Sequence, residues 1–70
     1  MDDLRLFLLA VAELADENGD ASEGALRERY PDEYHALRSR ASERRYLKST
    51  TEPGSIALTT MGRFAAGTLG

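Results

Sequence analysis

The chain contains no cysteine, and in a protein of 70 residues that absence leaves side-chain packing as the main means of holding a fold together. Without thiols there is no disulfide and no thiolate metal site, and the single histidine, His35, cannot form an imidazole cluster. A chain this short buries only about 60% of the surface that it exposes when unfolded, so every element has to serve one core. The sequence therefore predicts a single domain over residues 1–70, with no metal or other cofactor.

Apolar spacing predicts two helices in the first half of the chain. The first covers about residues 3–18, because six residues fall on one stripe at helical spacing. These are Leu4, Phe7, Leu8, Val11, Leu14 and Ala15. A second, short helix covers about residues 22–30, with Asp20 or Ser22 as its N-cap, and Pro31 ends it.

Three further elements are predicted in the second half. Asp32 caps a third helix over about residues 32–45, whose buried stripe is Tyr34, Leu37 and Ala41. Alternation of apolar and polar residues then predicts a β-hairpin over about residues 46–59, with a type II turn at Pro53 and Gly54. A closing helix follows over about residues 60–67, with Met61, Phe64 and Ala65 as its apolar contribution.

This order of elements, together with one short motif, resembles a winged helix-turn-helix domain. The motif is Leu58-Thr59-Thr60-Met61-Gly62-Arg63, which resembles the Leu-Thr-x-x-Gly-Arg signature that closes the wing in PadR-like and MarR-like regulators. In it, Leu58 faces inward, Thr59 caps the last helix, and Gly62 permits close approach to a neighbouring backbone. Residues 41–47 resemble the family's passage from recognition helix to wing, with Arg45 where many members have glycine. The resemblance implies an α+β fold of three helices, a hairpin wing and a short C-terminal helix, and binding to double-stranded DNA.

The net charge of −3 conceals an uneven distribution along the chain. Up to Leu37 there are three arginines against ten carboxylates, whereas the remainder has six basic residues against Glu43 and Glu52. The basic part coincides with the predicted recognition helix and the start of the wing, where phosphate contacts are needed. We therefore expect a DNA-binding transcriptional regulator that reads the major groove with its third helix, and Arg and Ser side chains suit base edges there. The predicted contacts are His35, Arg38, Ser39, Arg40, Ser42, Arg45 and Lys48. The alternative interpretation of that face is an ordinary solvated helix surface whose arginines complement the helix dipole.

Leu6 and Leu9 lie off the main stripe of the first helix, beside charged residues. Either the closing helix covers them through Phe64, or they form a partner contact, for example in a homodimer. The second function considered is accordingly a protein-interaction module on the same fold, an anti-repressor or assembly domain that uses the acidic half and these leucines.

No catalytic, ligand or membrane signal accompanies these features. The paired carboxylates lie at predicted helix ends, where capping and the helix dipole explain them, and no glycine-rich phosphate loop follows a strand. The longest uncharged apolar stretch, residues 6–12, is far shorter than the roughly 20 residues that span a bilayer. We expect a cytoplasmic protein that is not an enzyme and has no small-molecule ligand.

Overall fold

The computed structural model describes residues 3–50 and 52–67, which form an α+β fold of four helices and a three-stranded antiparallel sheet. The elements in chain order are α1 (Asp3–Leu14), β1 (Asp20–Ser22), α2 (Glu23–Arg29), α3 (Tyr34–Glu43), β2 (Leu47–Ser49), β3 (Ser55–Leu58) and α4 (Thr60–Ala66). The strand order is β1-β3-β2, so β3 pairs with both other strands. No helix in the described ranges has the length and apolarity to cross a membrane.

The core forms around the apolar face of α1. Phe7, Leu8 and Val11 are almost fully buried, and the rings of Tyr30 and Tyr34 meet Phe7 edge-on at centroid distances of 5.6 and 6.0 Å. The predicted stripe of α3 is also buried, and so are Leu26, Ile56 and Leu58. Helices and sheet therefore share one core, as a chain of this length requires.

The loop after α1 begins earlier than the spacing predicts, because Asp16 competes for backbone N–H groups. Its carboxylate accepts from the backbone N–H of Asn18 at 2.8 Å and of Asp20 at 3.0 Å. Gly19 completes the turn with a φ of 85°. The predicted helix over residues 3–18 was thus too long, since α1 ends at Leu14.

Residues 20–22, in which the sequence predicts the N-cap of the second helix, form strand β1. Asp20 pairs with Ala57 and Ser22 with Ser55, and Ser22 also caps α2 by accepting from the Ala25 N–H at 3.4 Å. Asp20 is not the N-cap. The N-cap of α3 was also predicted wrongly: Glu33 occupies it, without a side-chain hydrogen bond, in place of Asp32.

The hairpin turn has the glycine conformation that the sequence predicts, whereas α4 buries different side chains from those predicted. Gly54 has a φ of 78°, as the third position of a type II turn requires, and its carbonyl accepts from the Glu23 N–H at 2.9 Å. In α4 the buried residues are Gly62 and Ala66, whereas Met61 is 58% and Phe64 75% exposed. Of the two alternatives for Leu6 and Leu9, coverage by Phe64 is therefore wrong, because α4 packs through its small residues.

Candidate functional site

The outer face of α3 carries most of the residues predicted to contact DNA. His35, Ser39, Arg40 and Ser42 are exposed, on the side of the helix away from its buried stripe. Glu43 is exposed in the last turn of the same helix. The helix thus presents a mixed hydroxyl and basic surface with one carboxylate.

Arg38 departs from this pattern because it is tied to α2. Its Nε donates to Glu23 Oε1 at 2.9 Å, and the hydroxyl of Tyr34 donates to the same oxygen at 2.6 Å. The guanidinium of Arg27 lies over the Tyr34 ring, 5.3 Å from its centroid. We call these four residues the α2–α3 junction. Their contacts link the two helices, so Arg38 has a structural role.

The α2–α3 junction shifts the titration of both of its acidic groups. The hydrogen bond from Tyr34 lowers the pKa of Glu23, an effect that the Arg38 guanidinium reinforces and partial burial opposes. Burial raises the pKa of Tyr34 to about 12, and the hydrogen bond to Glu23 adds to the shift. At neutral pH the junction therefore holds a carboxylate, a neutral phenol and two guanidinium groups.

Four basic residues follow one another from the last turn of α3 into β2: Arg40, Arg44, Arg45 and Lys48. We call them the exit cations. All four are exposed, and none makes an ion pair with any residue of the described ranges. Arg29, by contrast, pairs with Glu13 at 3.1 Å. Arg44 was not among the predicted DNA contacts, although its spacing of four residues from Arg40 puts it beside that side chain.

The backbone at the end of α3 is strained. The N–H of Tyr46 donates to the Ala41 carbonyl at 2.9 Å and that of Arg45 to the Ser42 carbonyl at 3.0 Å, which is the Schellman pattern of a helix C-terminus. This pattern places Arg45 in the left-handed region, with a φ of 61°. Glycine adopts that conformation without cost, whereas a residue with a Cβ pays about 1 kcal/mol or more.

The start of α4 holds the strained backbone at the C-terminal end of α3 in place. We call this stretch of backbone, residues 44–46, the α3 exit. The Thr59 hydroxyl donates to the Arg45 carbonyl at 2.6 Å and accepts from the Gly62 N–H at 3.0 Å, while the Thr59 N–H donates to the Tyr46 carbonyl at 2.9 Å. A Cβ on Gly62 would collide with that same Tyr46 carbonyl. The predicted cap at Thr59 and close approach at Gly62 are both confirmed.

Of the two leucines predicted to meet a partner, Leu6 is 40% exposed and Leu9 is half-buried against the core. In the part of the chain that the structure describes, no cluster of His, Asp and Glu could hold a metal ion.

Comparison of the chain with models of known families, with curated proteins and with solved structures gave no match.

Proposed function

We propose that the chain is a small winged-helix transcriptional regulator that binds double-stranded DNA, with α3 in the major groove. The element order and the strand order β1-β3-β2 are compatible with such a domain. On this proposal β2 and β3 form the wing, Ser39 faces base edges, and Arg40 contacts a phosphate.

The observation that carries the proposal is the contrast between the exit cations and two other arginines of the chain. Arg29 and Arg38 have carboxylate partners, whereas Arg40, Arg44, Arg45 and Lys48 have none among the described residues. Exposed cations that are not neutralised within the protein can release counterions from DNA when they bind phosphate. The net charge of −3 therefore does not argue against DNA binding.

Arg45 adds an independent argument. A strained conformation persists where the surrounding structure enforces it, and such positions concentrate at functional sites. Here glycine would relieve the strain, yet the position carries a guanidinium that extends the row of exit cations. A phosphate contact by Arg45 accounts for that choice of residue.

A salt titration of binding to duplex DNA tests the proposal. The variant Arg40→Ala/Lys48→Ala should bind more weakly than the wild type at every salt concentration, and its slope of log K against log salt should fall by about 2. Arg29→Ala is the matched control, because it removes a paired arginine and should leave the slope unchanged. Absence of binding by the wild type at low salt, or equal slopes for all three proteins, would contradict the proposal.

A further inference from the structure

The face of α4 that the core leaves uncovered forms an apolar groove with Tyr46. Its lining is Tyr46, Thr60, Met61, Phe64 and Ala65, and we call it the α4 groove. It has a volume of about 380 Å³ and is open along one side. That size is at the lower end for ligand pockets and suits a few side chains of a partner better than an enclosed small molecule.

Phe64 and Met61 have no packing role that explains them. Phe64 is 75% and Met61 58% exposed, and of the three large hydrophobic residues exposed in the described ranges these two line the same groove. Exposed aromatic and methionine side chains at one place are typical of surfaces that bind other proteins.

The charges around the α4 groove indicate what kind of partner fits it. A second, smaller depression adjoins the groove, shares Tyr46 and Ala65 with it, and is bordered by Arg5 and Arg44. Among the residues that the structure describes, no carboxylate lines either depression, although the chain has 12 acidic residues against 9 basic ones. The surface is therefore apolar with a basic border.

We propose that the α4 groove binds an acidic amphipathic helix of another protein. The apolar side chains of that helix would insert beside Met61 and Phe64, and its carboxylates would meet Arg5 and Arg44. A second copy of the chain fits less well. Two such grooves face to face would bring the arginines of both copies together, and the third large apolar residue exposed in the described ranges, Leu6 on α1, lies apart from the groove.

Titration of the isotopically labelled protein with two synthetic peptides, followed by NMR, tests this proposal. Both peptides are amphipathic helices with leucines at every third and fourth position; one carries glutamates on its flanks and the other lysines. The glutamate peptide should shift the resonances of Met61, Phe64 and Tyr46 at concentrations below about 1 mM, and the lysine peptide should bind at least about tenfold more weakly. Phe64→Ser and Arg44→Glu should each weaken binding of the glutamate peptide by about tenfold or more.

Leu6→Ser is the matched control, since it removes an exposed leucine away from the α4 groove and should leave peptide binding unchanged. Thermal unfolding of each variant verifies that the fold is intact. Equal binding of both peptides, or no shift with the glutamate peptide at about 1 mM, would overturn the proposal. Self-association of the wild type that Phe64→Ser abolishes would also overturn it, because a second copy would then occupy the groove. No DNA is present, so the result is independent of the proposed DNA binding.

Discussion

The middle of α3 and its C-terminal end use the same residue type, arginine, in opposite ways. At the α2–α3 junction, Arg38 shares Glu23 with the Tyr34 hydroxyl, and its charge is balanced within the protein. At the C-terminal end, Arg44 and Arg45 extend from a backbone that is strained at Arg45, and no carboxylate of the described residues neutralises them. The difference separates charges that hold the fold from charges that are available to a ligand.

The largest expected effect on stability comes from disturbing the contacts by which α4 supports the α3 exit. Gly62→Ala should lower the free energy of unfolding by about 3 kcal/mol, because the new Cβ would collide with the backbone carbonyl of Tyr46. Urea denaturation measures this. Gly24→Ala is the control: its Cβ would have Ser22 Oγ as nearest neighbour at 3.5 Å, and a gain of a few tenths of a kcal/mol is expected. Equal stability of the two variants would show that α4 does not hold the exit.

The second-largest effect on stability is expected when the carboxylate of Glu23, which Tyr34 and Arg38 share, is removed. Glu23→Ala leaves the Tyr34 hydroxyl and the Arg38 guanidinium without their common acceptor, which should cost about 2 kcal/mol in urea denaturation. Glu28→Ala, an exposed carboxylate on the same helix, should change stability by less than about 0.5 kcal/mol. If Glu23→Ala proved as mild as Glu28→Ala, the α2–α3 junction would not be structural.

Alkaline pH should weaken the same junction. The pKa of Tyr34 is raised to about 12 in the folded protein, above the unfolded pKa of about 10. The stability that this difference contributes is therefore complete below about pH 10 and is lost as pH rises through about 12. Allowing for solvent screening, the loss should be roughly 1 kcal/mol. Unfolding free energies measured across this range should fall more steeply for the wild type than for Tyr34→Phe. Parallel curves for the two proteins would contradict the assignment.

Local patterns predicted the parts of the fold that depend on neighbouring residues. The stripe of α3 and the cap at Thr59 follow from spacing and residue type, whereas the close approach at Gly62 followed from the winged-helix resemblance. The strand β1 does not, since three residues carry no usable alternation and its pairing depends on β3, more than thirty residues further along the chain.

In the candidate site, too, features within one helix could be predicted from the sequence, whereas contacts between helices could not. Exposure of His35, Ser39, Arg40 and Ser42 follows from helical periodicity. The partner of Arg38 lies 15 residues away on another helix, so no local pattern could have shown that this arginine is tied to Glu23. The strain at Arg45 was visible only as a departure from the glycine that the winged-helix resemblance implies.

Replacement of Arg45 tests most directly the claim that the exit cations serve a ligand at the expense of stability. Arg45→Gly should raise the free energy of unfolding by about 1 kcal/mol, because glycine accepts the left-handed conformation, and should weaken binding to duplex DNA with a slope against log salt reduced by about 1. Arg45→Ala keeps the strain and removes the charge, so it should weaken DNA binding equally without the gain in stability. A more stable Arg45→Gly protein with unchanged DNA affinity and salt slope would contradict the account.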